Sequence, residues 1–276
     1  MPAELEPAGD REPLGTVGPT LVILAGGLAT RYGGIKPLAK VGANNESIIE
    51  LTIKRAIRAG FDQIVVVVGR ESGRAIEEEL RNLREGTRIC FVYQDGARGT
   101  ADALRVAGAK AVGPRPVGVC NGDDVYPKSA MISLATRVRQ GVNSVGAFQL
   151  GKTVVGEGAV NRGVLSVSSG RLFGIRESRG VRLSSNKGIF ITEDGSELNE
   201  NSLVAMNLFS FSDEVWQRLG ESDLVRDKEE LISEFVDRWV RAEPEEVFEV
   251  VFNEEACPGV TWGEDEELVR EVLEKR

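Results

Sequence analysis

The sequence predicts an α/β protein with a doubly wound, Rossmann-like, mostly parallel sheet and helices on both of its faces. Short apolar runs, often β-branched, alternate with longer segments that carry apolar residues at helical spacing. Residues 63–68 (QIVVVV) are apolar at every position after the first, as expected of an interior parallel strand buried on both faces. The β-α-β-α order is typical of a parallel sheet whose strands are connected through helices.

The elements of the first half follow one another regularly. After a strand at 20–24, a helix at 45–59 places Ile49, Ile53 and Ile57 on one face and ends before Gly60, a stop signal. The remaining elements predicted for this half are a strand at 63–68, a helix at 71–83, a strand at 89–93, a helix at 100–111, a strand at 117–120 and a helix at 128–139.

The second half is less regular in its pattern. Its predicted strands are 144–150, 163–167, 172–176, 203–211 and 248–252, and its predicted helices are 213–219, 228–240 and 264–276. Gly- and Ser-rich turns and a polar stretch at 178–201 lie between these elements, and no strand or helix is predicted for the polar stretch. We find no internal repeat and no linker, so residues 20–276 are expected to form a single domain after a loose, Pro- and Gly-rich leader at 1–19.

The composition excludes several kinds of site. The net charge of −9 gives no general attraction to nucleic acid or to an anionic membrane. The absence of histidine excludes His-dependent nucleophilic catalysis and His-ligated metals, so a metal would be held by oxygen ligands, which favours Mg²⁺. The cysteines have no CxxC spacing, and Cys90 and Cys120 are interpreted as small buried hydrophobes. A cytoplasmic protein is therefore expected.

Residues 21–38, LVILAGGLATRYGGIKPL, have the pattern of a phosphate site. A buried strand leads to Gly26 and Gly27 and then to a loop with the cations Arg31 and Lys36. Glycines let backbone N–H groups approach a ligand closely, and such groups together with fixed cations make a cradle for phosphate. Neither the G-x-G-x-x-G dinucleotide motif nor a P-loop ending in GK[ST] is present. We expect a polyphosphate, most economically the triphosphate of a nucleotide.

LAGGLATRYGGIKPL resembles the L-A-G-G-x-x-T-R-x…-K-P-L motif of the sugar-phosphate nucleotidyltransferase family. The resemblance implies a GT-A-like fold with a nucleotide-binding half at 20–140 and an acceptor-binding half at 141–276. It implies that Arg31 stabilises the nucleotide phosphates as pyrophosphate leaves and that Lys36 contacts phosphate. The nucleotide contacts that it implies in this motif are Leu24, Ala25, Gly26 and Gly27.

The resemblance continues through the rest of the nucleotide half. In 94–101 (QDGARGTA), Gln94 would read the base, and Gly99 and Thr100 would pack against the nucleoside. The segment 119–126 (VCNGDDVY) resembles the family strand that ends in Gly-Asp, so Asp123 is implied as a catalytic Mg²⁺ ligand. A carboxylate at the carboxyl end of a parallel strand lies where open α/β sheets bind ligands. Asp124 is expected to buttress the loop.

The acceptor half matches the family less closely. The resemblance implies that Gly163, Glu177 and Asn207 contact the acceptor. In relatives a lysine directly follows the glutamate that Glu177 matches, whereas Ser178 follows it here. The cation is therefore missing at that position. Its candidate replacements are Arg179 and Lys187.

The second metal carboxylate is expected between residues 259 and 265 (GVTWGED). A strict alignment places Thr261 at the position of the family's aspartate. We favour Asp265 as the second ligand, with Glu264 or no residue of this segment as the alternatives.

The function that the resemblance implies is Mg²⁺-dependent transfer of a nucleoside monophosphate from an NTP to a sugar 1-phosphate, giving an NDP-sugar and pyrophosphate. An acceptor phosphate is already a nucleophile at neutral pH, so this chemistry needs no general base, which agrees with the absence of histidine. One alternative is a cytidylyltransferase that acts on a non-sugar phosphate or phosphonate, such as a phosphocholine-like acceptor. Another is a regulatory protein that binds NTP without turnover. A homodimer and a monomer are both left open.

Overall fold

The computed structural model describes residues 18–27, 32–83, 88–96, 98–186, 188–221 and 229–274, with only the backbone of Asn82. Two residues with predicted roles, Arg31 and Lys187, lie outside the described residues, as does almost all of the expected leader. Among the residues that are described, no helix is both long and apolar enough to cross a membrane.

The strands of the first half form the parallel part of the sheet. They are β1 (Thr20–Ala25), β2 (Gln63–Gly69), β3 (Arg88–Gln94) and β4 (Val117–Asn121). They pair in the order β3-β2-β1-β4, and every pairing is parallel. All side chains of β1 and nearly all of β2 are buried, because helices cover both faces. The parallel arrangement predicted for this half is confirmed.

The strands of the second half make the sheet mixed, which corrects the prediction of a mostly parallel sheet. They are β5 (Ser144–Gln149), β6 (Val160–Ser168), β7 (Arg171–Leu183), β8 (Ile189–Ile191), β9 (Glu197–Asn199), β10 (Leu203–Phe211) and β11 (Glu249–Asn253). β10 runs antiparallel between β4 and β5, and β11 runs parallel to β5. β6 and β7 form a long antiparallel hairpin whose first strand also pairs with β10.

The polar stretch 178–201, for which the sequence predicted no strand, contains the end of β7 and the short strands β8 and β9. β7 continues through its first residues, because β6 supplies paired backbone as far as Val160 opposite Val181. β8 and β9 then extend the end of β7 by antiparallel pairing. Polar side chains hid these strands, since a strand in a hairpin with one solvated face needs few apolar residues.

Helices cover both faces of the sheet. They are α1 (Ile48–Ala59), α2 (Gly73–Glu79), α3 (Gly99–Ala107), α4 (Lys128–Gln140), α5 (Val215–Glu221), α6 (Ile232–Ala242) and α7 (Asp265–Glu274). One apolar cluster holds α1, α2 and α4 against the sheet, and another holds α3, α5 and α6 against its opposite face. α1 begins later than predicted because Ser47 caps it, accepting a hydrogen bond from the Glu50 N–H while Glu50 accepts one from the Ser47 N–H.

A buried tyrosine joins the two halves of the sheet. The Tyr126 hydroxyl donates to the Met206 carbonyl on β10 (2.6 Å) and accepts from the Asn121 N–H at the end of β4 (2.9 Å). Between Ala205 and Phe209, the register of β10 against β5 shifts by a β-bulge. The hydroxyl thus satisfies backbone groups that the bulge would leave unpaired.

We therefore expect Tyr126→Phe to lower the free energy of unfolding by about 1–3 kcal/mol, because buried backbone groups lose their partner while the ring keeps its packing. Chemical denaturation of both proteins measures the difference. Tyr93→Phe is the matched control: its hydroxyl donates to Glu77 from a 37% exposed side chain, and we expect a change within about 0.5 kcal/mol. Equal effects of the two changes would contradict this role of Tyr126.

Candidate active site

A cleft of ≈ 430 Å³ opens at the carboxyl ends of β1, β3 and β4. Open α/β sheets bind their ligands at this edge. The residues that line the cleft are Leu24, Ala25, Gly26, Gly27, Lys36, Pro37, Gln94, Gly99, Thr100, Ala103, Asn121, Asp123, Asn207 and Glu229. The structure thus brings all the described residues that the sequence assigned to the nucleotide, together with Asp123 and Asn207, into one cavity.

Gly26 and Gly27 lie between this cleft and a second cavity of ≈ 340 Å³, and they line both. A Cβ on Gly26 would meet the Gln94 side-chain oxygen at 3.3 Å and the Gly69 nitrogen at 3.4 Å, so the protein itself is tight there. Among the described residues, which do not include 28–31, a Cβ on Gly27 would meet nothing within 4 Å. No atom of these residues requires glycine at position 27, and a glycine there lets a ligand approach the backbone closely.

The Gln94 amide is held in one orientation. Its Nε2 donates to the Gly99 carbonyl (3.1 Å) and to Asp102 Oδ2 (2.8 Å), and Arg105 in turn binds Asp102 Oδ1 (2.5 Å). Both neighbours of Nε2 are acceptors, so a flipped amide would set oxygen against oxygen. The amide oxygen of Gln94 therefore faces Gly26 and the cleft as an acceptor.

Gly99 and Thr100 have structural reasons for their identity besides their place in the cleft. Gly99 has φ +87°, and a Cβ there would overlap the Glu230 backbone. The Thr100 hydroxyl accepts from the Ile232 N–H (2.7 Å) at the start of α6. The Gly-Thr turn thus anchors α6 beside the cleft, and the Thr100 hydroxyl is already engaged.

Lys36 and Asp123 face each other across the cleft. Lys36 Nζ lies 3.9 Å from Asp123 Oδ2, and the two side chains are 20% and 33% exposed. Burial raises the pKa of the Asp123 carboxyl, and the charges of Lys36 and Arg162 oppose that shift. A cation and a carboxylate thus stand together where both are still accessible to a ligand.

Asp124 is buried beside Asp123, in the same loop. Its Oδ2 accepts from Asn121 Nδ2 (2.8 Å), and burial followed by the Asp123 charge raises the pKa of Asp124 to about 7. Its other oxygen lies against Gly259, where a Cβ would clash with it, and residues 124 and 259 form an isolated antiparallel bridge. The Asp124 carboxylate therefore occupies the space that a side chain at position 259 would need.

Asn207 reaches the cleft from the bulge of β10. Its φ is +52°, a conformation in which asparagine is enriched among non-glycine residues. Its Nδ2 donates to Asn121 Oδ1 (3.1 Å), and Asn121 donates to Asp124. The acidic loop thus sets the orientation of both amides and leaves the Asn207 oxygen at the end of the chain of hydrogen bonds.

Gly163 and Glu177 lie outside the lining of the cleft, on the β6–β7 hairpin beside β10. They are cross-strand partners, and Glu177 Oε2 accepts from the Ser233 hydroxyl on α6 (3.0 Å). Burial raises the pKa of Glu177. Gly163 leaves space for Ile175 Cγ2, which a Cβ would approach to 2.9 Å.

Asp265 does not lie in the cleft, contrary to its predicted role as a metal ligand. It is 2% exposed, and its Oδ2 accepts from the backbone N–H groups of Thr261 and Trp262 (2.8 Å each). Its position in the first turn of α7 gives the carboxylate this structural task. Thr261 and Glu264 are also absent from the lining of the cleft.

Sequence reasoning missed Asn121 and Glu229 as lining residues. Asn121 ends β4, and its place at the carboxyl end of a predicted strand is a signal that could have identified it. Glu229 precedes α6 and reaches the cleft only because the 230–232 backbone packs on Gly99, Thr100 and Ala101. No local pattern predicts that contact.

Comparison with known proteins identifies the kind of domain. Residues 21–154 match the family described as the MobA-like NTP transferase domain. A search of curated protein sequences gives no match.

Solved structures share the fold over nearly the whole chain. The inositol-1-phosphate CTP transferase from T. maritima has TM-score 0.68 at 15% identity, covering 94% of this chain and 97% of that chain. A Bacillus anthracis protein assigned as a glucose-1-phosphate thymidylyltransferase has TM-score 0.69 at 15% identity, covering 92% and 94%. A UDP-glucose pyrophosphorylase complexed with UDP-glucose has TM-score 0.62 at 14% identity, covering 94% and 99%. The fold of these proteins is therefore shared by the residues after 154 as well.

The empty space at Gly27 yields a test of ligand approach. We expect Gly27→Ala to weaken NTP binding about tenfold, or about 1.4 kcal/mol, with an unchanged melting temperature, because the added methyl group meets ligand and not protein. Calorimetric titration and thermal unfolding measure the two quantities.

Gly220→Ala is the control for this test. It lies in α5, where a Cβ also meets nothing within 4 Å, and it should leave NTP affinity unchanged. Wild-type NTP affinity in Gly27→Ala would show that no ligand approaches this glycine.

Proposed function

We propose that this protein transfers a nucleoside monophosphate from an NTP to the phosphate of a sugar 1-phosphate and releases pyrophosphate. The match of residues 21–154 to the MobA-like NTP transferase domain supports the proposal. The observation that carries the proposal is the meeting of Gly27, Lys36 and Asp123 in one cleft at the carboxyl edge of the sheet. A phosphate cradle, a cation and a carboxylate are the parts that nucleotidyl transfer needs.

The residues of the cleft act by position and charge. Backbone at Gly26 and Gly27 holds the triphosphate, and the Gln94 oxygen accepts a hydrogen bond from a donor on the base. An acceptor phosphate oxygen attacks the α-phosphorus in line with the departing pyrophosphate. Lys36 neutralises phosphate charge at this point, and Arg31 of the same loop stabilises the charge on the leaving group. No proton has to be removed from the nucleophile, so no base is required.

The acidic loop fits a divalent cation. Asp123 lines the cleft and Asp124 is the next residue of the same loop, and the like charge of Asp123 raises the pKa of Asp124. The chain has no histidine, and the described residues contain no cluster of three or more Asp, Glu or Cys arranged for a metal. A pair of carboxylates suits Mg²⁺, which takes its other ligands from substrate phosphates and water. When bound, the ion would neutralise negative charge on the nucleotide phosphates.

Asp124 is the better partner for Asp123 than Asp265. Its carboxylate lies in the same loop and in the space above Gly259, whereas the Asp265 carboxylate is occupied by backbone N–H groups of its own turn. Asp124 also accepts a hydrogen bond from Asn121 of the same loop, which agrees with the loop-buttressing role expected for it. We therefore assign the cation to Asp123 and Asp124.

Two classes of acceptor are candidates: a sugar or cyclitol phosphate, and a non-sugar phosphate. Glu177, buried and oriented by Ser233, is suited to accept hydrogen bonds from hydroxyl groups of a sugar or a cyclitol. The inositol-1-phosphate CTP transferase, named for a cyclitol phosphate, shares this fold. The altered residue after Glu177 keeps a cytidylyltransferase for a non-sugar phosphate as the second candidate.

An NTP-by-acceptor matrix tests the proposal. Purified protein is incubated with Mg²⁺, each common NTP, and glucose 1-phosphate, inositol 1-phosphate or phosphocholine, and pyrophosphate release is measured. We expect release with a sugar or cyclitol 1-phosphate and one preferred NTP. Release with phosphocholine alone would favour the second candidate. NTP binding without release for any acceptor would make the chain a nucleotide-binding regulator.

The metal assignment has its own test. We expect Asp123→Asn and Asp124→Asn each to lower kcat roughly 100-fold or more, since the charge on the phosphates is then less well neutralised. Mn²⁺ binding, measured by electron paramagnetic resonance in the presence of a non-hydrolysable NTP analogue, should weaken in both variants.

Asp265→Asn is the matched control for these changes. It keeps an acceptor oxygen for the turn at Thr261 and Trp262, and we expect wild-type Mn²⁺ affinity. Loss of Mn²⁺ binding in Asp265→Asn, with Asp124→Asn unaffected, would restore Asp265 as the ligand.

A further inference from the structure

The β6–β7 hairpin places an arginine opposite the position where the acceptor half lacks its cation. Arg162 on β6 and Ser178 on β7 are direct cross-strand partners. Partners in an antiparallel pair project their side chains from the same face of the sheet. Ser178 is 5% exposed, and its hydroxyl has no hydrogen-bond partner within the described residues. Because serine is small, the Arg162 side chain can occupy the space on this face of the hairpin that a longer side chain at position 178 would fill.

The Arg162 guanidinium is fixed by neutral acceptors. Nε donates to the Thr153 hydroxyl (3.1 Å), Nη2 to the Thr153 carbonyl (2.8 Å) and Nη1 to the Asn161 carbonyl (2.8 Å). No carboxylate of the described residues lies within ion-pair distance of it. One N–H on each Nη group remains beyond these bonds. The guanidinium is thus held in place with a pair of donors left for an anion.

The Arg162 guanidinium lies within electrostatic range of the acidic loop and of Glu177. Burial lowers the pKa of the guanidinium, and the negative charges of Asp124, Asp123 and Glu177 oppose that shift. Arginine stays charged in such surroundings. Arg162 and Glu177 belong to successive cross-strand pairs of the hairpin, Arg162 with Ser178 and Gly163 with Glu177. An acceptor phosphate that approaches Asp123 therefore comes near the charge of Arg162 at the same end of the hairpin.

We propose that Arg162 binds the phosphate group of the acceptor, supplying from β6 the cation that position 178 of β7 lacks. This inference rests on the proposed function and assigns its acceptor-phosphate site. The fork of remaining N–H groups matches two oxygens of a phosphate, which a lysine ammonium would contact only as a point charge. The bonds to Thr153 and Asn161 prepare this geometry before the acceptor arrives.

Steady-state kinetics of Arg162→Gln tests the assignment. Glutamine keeps an amide donor for Thr153 but carries no charge. We expect KM for the acceptor to rise roughly 10- to 100-fold, with KM for the NTP within twofold of wild type. Arg162→Lys should fall between the two proteins. An unchanged acceptor KM in Arg162→Gln would overturn the proposal.

Moving the cation across the hairpin separates phosphate binding from a structural role. We expect the double variant Arg162→Ala, Ser178→Lys to have an acceptor KM at least tenfold lower than that of Arg162→Ala. The space left by Arg162 admits the lysine, which restores a cation on the same face of the hairpin. A purely structural role predicts no such rescue. If Arg162→Ala does not fold, the Arg162→Gln and Arg162→Lys kinetics decide the question alone.

Exposed arginines of β7 serve as comparisons. Arg182→Ala should leave the acceptor KM unchanged. If Arg179→Ala raises the acceptor KM and Arg162→Gln does not, the cation belongs to Arg179 and the proposal fails.

The wild-type protein separates this inference from the proposed function. Wild-type turnover with an unaffected Arg162→Gln variant overturns the role of Arg162 and leaves the function standing. Absence of wild-type turnover with every acceptor overturns the proposed function and, with it, the assignment of Arg162.

Discussion

The parallel pairing of β1 with β4 is the constraint on which the candidate site depends. Leu24 lies opposite Asn121, so both strands end at the same edge of the sheet. The glycine turn after β1 and the acidic loop after β4 therefore emerge side by side. Nearly all of their side chains are buried, because helices cover both faces of the sheet, and close packing on both sides holds the two strands in place. Phosphate cradle and carboxylates are thus held by core packing.

The second half of the chain closes the site by polar contacts. The Tyr126 hydroxyl links the end of β4 to the bulge in β10 by hydrogen bonds. The bulge places Asn207 in the lining of the cleft. Asp124, Asn121 and Asn207 form one line of hydrogen bonds from the acidic loop to that strand. The Asp124 carboxylate thereby orients the side-chain amides of Asn121 and Asn207, which line the cleft. Strain at Asn207, with its positive φ, is tolerated where the surrounding bonds determine it.

The β6–β7 hairpin pairs Arg162 with Ser178, the position at which the resemblance implies a cation. In the role that we propose for Arg162, the cation is supplied from the other strand of the hairpin. A comparison of positions along one strand cannot detect such a pairing. Asp124 above Gly259 is a similar case, in which the carboxylate comes from the neighbouring loop. In both cases a small residue provides the space for a side chain from another segment.

The sequence by itself determined the parallel half of the sheet and the residues after β1 and β4 that line the cleft. Local order was enough there, since each predicted strand is followed within a few residues by a lining residue, as in Gly26 after β1 and Asp123 after β4. Tertiary structure alone decided the antiparallel β10, the hairpin strands within 178–201, the burial of Asp265 and the place of Arg162. These features depend on which strands pair and which side chains pack together in three dimensions, and such contacts leave no periodic pattern in the sequence.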